Sequence, residues 1–434
     1  MDSSQAPTIA AARRVWPRDI SVAMKHVTVL GAGIAGLVTA WYLAAEGLEV
    51  TVIERAPEAA AETSHANGGH LSTQSGVPWI GPQAIRELLT TGLRRERVVR
   101  VLHAPDPGRW HWFAAALLAA RPAAYRLAAE RTSRLSHYSR PLTEALMDTL
   151  ALNVGLENQG VLALYRSRSA FRRACRKPPA ASLLLNRNET LEREPALAAA
   201  TAPLAGACFY PADATADCHA FCEQLSQRAA AAGVRFLYDC EAQRVELSAG
   251  RVVAVTTSRG RIACADCVVA LGAEAAPFLS RHALHVPILP LRGYSLSAPI
   301  VSGAPAPGRF VDIERHVVFS RLAGVFRAAG MADFAGHQRN LPPDRTRHLH
   351  AIAGEWYPPV KSGQPKFWAC LRAMTPDGPP VLGASGIPGL WLNIGLGPLG
   401  WTQGAGSARL VADLVLGRKP DLDMQGYGIA RFRR

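Results

Sequence analysis

Between residues 27 and 54 the apolar positions change rhythm twice. Val27, Val29 and Leu30 lead into a cluster of glycines, after which Leu37, Ala40, Trp41 and Ala44 recur at intervals of three and four. Gly47 then precedes a second apolar run, Val50, Val52 and Ile53. Short apolar runs bounded by glycine read as strands, and three-four spacing reads as one face of a helix. The stretch therefore predicts a strand, a helix over 34–46 and a second strand. Residues 85–150 carry helical periodicity with few turn signals, and 160–165 (GVLALY) reads as a strand. A helix is expected over 218–232, with strands at 234–237, 251–257 and 267–272. Alternation at 289–297 and 317–329, punctuated by Pro and Gly, predicts antiparallel strands; the last hundred or so residues give short strands, a glycine cluster and a helix.

The strand and helix units of the first type return after long intervening segments, so two interleaved domains are expected in this chain of 434 residues. One is an α/β nucleotide-type domain built from 25–84, 206–284 and 365–434. The other is an α+β domain built from 85–205 and 285–364, and residues 1–24 read as a loose extension. No internal repeat is visible.

Composition leaves this outline intact and narrows the setting. Apolar residues at 49% and charged residues at 19% are the balance of an ordinary globular protein. No apolar stretch reaches the roughly 18 residues of a spanning helix. Lys and Arg number 48 against 34 Asp and Glu, a formal charge of +14 that favours anionic partners such as nucleotides, carboxylates or lipid headgroups. Arginines as scattered as Arg94, Arg95, Arg97 and Arg100 also fit a solvated basic face. Eight cysteines are too sparse for a disulfide scaffold, and nothing resembles a cleavable secretory signal. A reducing, cytoplasmic setting is expected, with peripheral association at the inner membrane face at most. Cys264 and Cys267 form a C-x-x-C inside an apolar run without a second ligand pair, so they read as buried strand residues and no metal is expected. No RNA-binding module accompanies the basic residues, which argues against a nucleic-acid partner.

The candidate chemistry begins at the first glycine cluster. Gly31, Gly33, Ile34, Ala35 and Gly36 fall in G-A-G-I-A-G directly after the first strand. Glycine there permits a tight turn, close approach of the backbone to a pyrophosphate and tight packing of helix on strand. Glu54, 18 residues after Gly36 and followed by Arg55, ends the second strand where a carboxylate accepts hydrogen bonds from ribose hydroxyls. The fingerprint alone fits NAD as well as FAD. The next segment favours a flavin: the polar loop at 62–72 offers Ser64, Asn67, Gly68 and Gly69 in place of another helix. Near the C-terminus, NIGLGPLGWT supplies Gly395, Gly397, Leu399, Gly400, Trp401 and Thr402 ahead of a helix whose N-terminus would stabilise negative charge on a reduced ring system.

With these motifs in view the chain resembles the D-amino-acid dehydrogenase branch of the FAD-dependent D-amino-acid oxidase and glycine oxidase superfamily. The resemblance runs from Lys25 onward and is carried by VTVLGAGIAGLVTAWYLAAEGLEVTVIER, ETSHANGG, PLRGYSL, LRAMTPDGPPVLG and GLWLNIGLGPLGWT. It implies a Rossmann-like FAD-binding domain interleaved with an α+β substrate domain whose antiparallel sheet covers the flavin. It also implies that Arg372, in LRAMTPDG, holds a substrate carboxylate, with Tyr294 donating a hydrogen bond to the same group. On the residues alone, a pairing of Arg372 with Asp377 is the lesser alternative, and Tyr294 fits a place in the core equally well. Two positions depart from the family pattern: Leu396 stands where relatives have histidine, and Ala216, between Asp213 and Asp217, where they have glycine.

The activity implied is oxidation of a small D-amino acid by hydride transfer to the flavin, giving an imino acid that water converts to a 2-oxo acid and ammonia. A quinone or other respiratory acceptor would take the electrons. The alternatives are a secondary amine or imino acid such as proline, hydroxyproline, sarcosine or an opine as substrate, or a non-catalytic FAD-binding subunit of a larger complex. Two residues match sites of covalent flavin attachment in relatives. Cys370 is placed like the linked cysteine of monomeric sarcosine oxidases, and His65, in HANG, like the linked histidine of dimethylglycine dehydrogenases. The dehydrogenase branch binds FAD without a bond, and that is expected here. Of the two, Cys370 is favoured, because Arg372 nearby would depress its pKa.

Overall fold

The computed structural model describes residues 26–82, 98–102, 107–322 and 324–432. The extension at 1–24 and the arginines 94, 95 and 97 lie outside the described residues. The strand, helix and strand at the start form as the pattern predicts, over His26–Leu30, Ile34–Ala45 and Glu49–Ile53. The two strands run parallel, with Val27 opposite Val50 and Val29 opposite Val52. Parallel neighbours require a crossover, and the helix supplies it while covering one face of the sheet. This sheet has six strands in the order Val381–Ala384, Leu390–Ile394, Asp266–Val269, His26–Leu30, Glu49–Ile53, Arg235–Leu237. Only the first pair is antiparallel. Cys267 is a buried residue of the strand Asp266–Val269, as read from the sequence, whereas Cys264, also buried, lies in the connection that precedes it. Strands Ala242–Ser248, Arg251–Thr257 and Gly260–Ala263 form a small antiparallel sheet beside it.

A nine-stranded sheet forms the second layer. Its main path runs Lys366–Met374, Leu289–Pro299, Val325–Phe334, Val317–Leu322, Phe310–Asp312, Val161–Tyr165, Gly206–Tyr210 and Leu183–Asn186, with Val99–Val101 paired to Val325–Phe334. It is antiparallel except at two pairings, Phe310–Asp312 with Val161–Tyr165 and Val99–Val101 with Val325–Phe334.

The two layers exchange segments at places other than those the sequence suggests. Gly206–Tyr210 and Lys366–Met374, placed by pattern in the nucleotide domain, are strands of the large sheet. The helix Pro122–Thr149, placed with the substrate domain, belongs with the nucleotide layer, because it lies against the C-terminal helix Gly400–Val415. There Gly406 N donates to Ser139 Oγ at 2.9 Å, and a Cβ on Gly406 would meet Ser139 Cβ at 2.7 Å. Gln403 Nε2 reaches Thr132 O and Ser136 Oγ at 3.2 and 3.1 Å across the same contact. Small and polar residues on both helices let the backbones approach closely, a property that apolar periodicity does not register. Among the described residues no helix is long and apolar enough to cross a membrane, and no cluster of metal-ligating side chains occurs.

Candidate active site

A cavity of about 1660 Å³ lies between the two layers, larger than the ~300–1,000 Å³ of a pocket for a drug-sized ligand. One end is built by the glycine turn. Gly31 has φ +101°, and a Cβ there would meet Ala270 O at 2.6 Å; a Cβ on Gly36 would meet Gly31 O at 1.9 Å. These two glycines are required by the fold itself. Gly33 differs, since a Cβ there would meet only Ser64 Oγ, at 3.6 Å, and otherwise faces the cavity at the helix N-terminus. Open space at the N-terminus of a helix, where the dipole is positive, fits a pyrophosphate. Glu54 sits at the end of its strand with one oxygen accepting from Ala32 N at 2.7 Å and the other from Ala56 N at 2.9 Å. That pins the carboxylate at the cavity wall, where its remaining lone pairs fit ribose hydroxyls. The residues present therefore suit FAD.

The loop after this strand is held to both layers. Ser64 Oγ accepts from Ile34 N at 3.1 Å, Asn67 Oδ1 accepts from Gly69 N at 2.9 Å, and Gly68 O accepts from Ser320 Oγ. A Cβ on Gly68 would meet Val318 Cγ1 at 2.8 Å, so glycine is needed where the loop passes the large sheet. Arg55 pairs with Glu62 at 2.5 Å and Glu274 at 3.5 Å, and Arg339 joins the same two carboxylates at 3.0 and 2.5 Å. This network ties the nucleotide layer to the covering sheet at the cavity edge. Gly395, Gly397, Leu399, Gly400 and Trp401 line the cavity near the start of the C-terminal helix. Thr402 works one step back, its hydroxyl accepting from Ser72 N at 3.0 Å. The Ala216 departure is absorbed by backbone groups, since its N donates to Gly69 O at 2.9 Å and its O accepts from Trp401 Nε1 at 3.2 Å. Asp213 secures the neighbouring loop by accepting from Gln74 N at 2.7 Å and Ser75 N at 3.2 Å.

Arg372 stands at the other end of the cavity. It is opposite Leu291 in the sheet, and its guanidinium lies over Gly293, where a Cβ would meet Nη1 at 2.4 Å. Nη1 donates to Met331 O at 3.1 Å. That carbonyl is turned toward it by a bulge in Val325–Phe334, where Met331 takes the left-handed φ of +59°. A non-glycine residue in that region is strained, and such strain gathers at functional positions. Among the described residues no Asp or Glu pairs with Arg372; Asp377, the alternative partner, is held by Arg431 at 2.8 Å. Burial pulls the Arg372 pKa down, with only Cys370 opposing it. Sequence reasoning passed over Gly293 and Met331. A glycine inside the strand PLRGYSL was the available signal, since it marks a close approach by another group.

The structure places three further candidate residues, Tyr294, Cys370 and His65. Tyr294 is opposite Ala369, so strand alternation puts it on the face away from Arg372, Cys370 and Gly293. Its hydroxyl donates to buried Asp333 at 2.5 Å, and Arg292 at 3.3 Å and Arg345 complete that cluster. Burial, then the bond to Asp333, raises the Tyr294 pKa. Tyr294→Phe is therefore expected to cost about 1–3 kcal/mol of stability in urea unfolding, without changing KM for a carboxylate substrate. A large KM increase in a normally stable variant would return Tyr294 to the site.

Cys370 does line the cavity, but burial raises its pKa and outweighs the lowering by Arg372, so the thiolate needed for flavin attachment is disfavoured. His65 packs its ring 4.4 Å from His219 and 4.3 Å from Trp368 in place of lining the cavity, and burial, then His219, lowers its pKa. Acid precipitation is accordingly expected to leave a white pellet and a yellow supernatant. A pellet that stays yellow and turns white in Cys370→Ala would establish a bond.

Comparison with known proteins agrees with this geometry. Residues 26–414 match the family model described as FAD dependent oxidoreductase. The D-amino acid dehydrogenase of Agrobacterium fabrum is 36% identical over 415 residues, covering 94% of this chain and 99% of the relative. That of Paramagnetospirillum magneticum is 37% identical over 420 residues, with 94% and 98% covered. Among solved structures, glycine oxidase from Geobacillus kaustophilus superposes with a TM-score of 0.72 at 20% identity over 94% of this chain and 99% of its own. L-proline dehydrogenase from P. horikoshii gives 0.69 at 19% identity over 94% and 98%, a likeness of fold. The chain belongs to the DAO family of FAD-dependent oxidoreductases.

Proposed function

We propose that the protein is an FAD-dependent dehydrogenase of D-amino acids, with Arg372 holding the substrate carboxylate. The observation that carries this is a half-buried guanidinium that faces the cavity without an acidic partner among the described residues. Desolvating a cation is costly unless an anion joins it, and a planar fork suits a carboxylate bidentately. Bound FAD supplies the two-electron acceptor for the hydride at the substrate Cα. The chain's part is positioning. Arg372 fixes one end of the substrate, and Gly293, having no side chain, lets the guanidinium lie flat against the sheet. The clamp holds the substrate in one orientation while the neutral amine, which needs no protein base to expel hydride, is oxidised. The resulting imino acid hydrolyses to a 2-oxo acid and ammonia. Relatives named D-amino acid dehydrogenase over nearly the full length support this reading over a secondary-amine substrate or a non-catalytic subunit.

The electron acceptor proposed is a quinone reached by peripheral contact with an anionic membrane. Helix Pro107–Ala119 supports it, because Trp110 and Leu117 are 71% and 58% exposed while Trp112 of the same helix lines the cavity. Arg121 and Arg126 lie exposed just beyond. Anaerobic addition of D-amino acids is expected to bleach the flavin. Reoxidation should then be faster with quinone in anionic vesicles than in neutral ones, and slow in air. Absence of bleaching with every D-amino acid would reject the dehydrogenase reading, and rapid peroxide formation in air would reject the acceptor.

A further inference from the structure

We infer that the preferred substrate carries a bulky apolar side chain, aromatic or branched aliphatic, seated in an aromatic pocket beside Arg372. This rests on the reading of Arg372 as the carboxylate clamp and names the class of amino acid it selects. The argument begins with strand alternation. Met374 is two residues beyond Arg372 and shares its face, and their cross-strand partners are Leu289 and Leu291. On the next strand, Met331 touches Arg372 through its carbonyl, and Ala332 and Phe334 follow. Leu289, Leu291, Ala332, Phe334 and Met374 belong to one apolar cluster with Ile80 and Trp112. The ring of Phe334 lies 5.8 Å from Trp112, 5.2 Å from Phe113 and 6.3 Å from Trp79, centroid to centroid. All four aromatic residues, with Met374 and Leu396, line the cavity that Arg372 enters.

The indole N–H of Trp112, in this wall, is already engaged. Trp112 Nε1 donates to Met374 O at 2.9 Å, which leaves the indole no hydrogen for a ligand. The acidic residues lining the cavity stand at other parts of it. Glu54 is at the glycine turn, and Glu62 and Glu274 are in the network with Arg55 and Arg339. Glu314 accepts from the backbone N–H groups of Arg166 and Ser167, and Glu241 precedes the strand Ala242–Ser248 of the small sheet. A basic substrate side chain directed at the aromatic wall would find no carboxylate there, and an acidic one would face the rings of Phe113 and Phe334 and the Met374 side chain. Burying either without a partner is unfavourable, whereas an apolar chain gains by leaving water. Leu396 extends the same character to the flavin side, where the family pattern has histidine, and it is bridged to Met374. The pocket thus suits a larger and less polar substrate than the small amino acid the sequence suggests.

The test is a kcat/KM survey of the holoenzyme with an artificial electron-accepting dye, using pairs of similar size. D-Leu is expected to exceed D-Asn, and D-Met to exceed D-Gln, by about 10- to 100-fold, with D-Phe among the best substrates. Phe113→Ala is expected to lower kcat/KM for D-Phe about tenfold more than for D-Ala. D-Ala, D-Asn or D-Lys as the best substrate of the unaltered enzyme would overturn the inference and leave the dehydrogenase reading standing. Equal losses for D-Phe and D-Ala in Phe113→Ala would overturn it too. Failure of all D-amino acids to reduce the flavin would remove both.

Discussion

Arg372→Met is expected to lower kcat/KM for the amino-acid substrate by about 100- to 1,000-fold, equivalent to roughly 3–4 kcal/mol, while the protein keeps its flavin. The size follows from what the guanidinium lacks in the free protein. Its contact with Met331 O is a single neutral hydrogen bond, which leaves most of its donors for the proposed carboxylate. Methionine fills a similar volume and removes the charge, so packing over Gly293 is largely kept. Arg372→Lys should fall in between, since a point charge on a flexible stem replaces a fork. The loss should reside in the carboxylate: amines without that group, however poor as substrates, should be affected little. An unchanged apparent affinity for amino acids in Arg372→Met would remove the residue from the substrate site.

The second large effect concerns cofactor retention. Gly33→Val is expected to give a folded but colourless protein. A branched side chain at Gly33 meets little of the protein and projects into the space proposed for the pyrophosphate. Gly36→Ala serves as the contrast. There even one methyl would collide with Gly31 O, so the turn itself must shift and the variant should fail to accumulate as folded protein. Circular dichroism and flavin absorbance together separate the two outcomes. A Gly33→Val protein with normal flavin content would displace the pyrophosphate from this turn.

The start of the chain was legible because local rules agree there. The 3.6-residue rhythm of Ile34–Ala45, the glycines before it and the acid after the second strand all describe one compact unit. Lys366–Met374 and PLRGYSL were legible as strands but not as partners. Alternation tells which residues of a strand share a face, while the pairing of Leu291 with Arg372, and of Tyr294 with Ala369, depends on contacts distant in sequence. That register sends Arg372 into the cavity and Tyr294 to Asp333, and neither segment read alone contains it. Cys370 shows the same limit in electrostatic form. Its neighbour Arg372 is visible in the sequence, whereas the burial that outweighs it exists only once the sheets have closed. The aromatic wall drew no notice either, because Trp79, Trp112 and Phe334 come from three separate segments.

The placement of Leu390–Ile394 inside the parallel sheet bears on how the protein is made. That strand lies between Val381–Ala384 and Asp266–Val269, and the helix Gly400–Val415 that follows covers the same layer. A chain emerging from the ribosome presents the glycine turn first, yet the sheet that supports it stays incomplete until these last segments arrive. Translation normally lets early domains fold before later ones. Here the N-terminal strands lack the Leu390–Ile394 part of their sheet until that segment has been made, so a premature stop before Leu390 is expected to leave the glycine turn without its complete support.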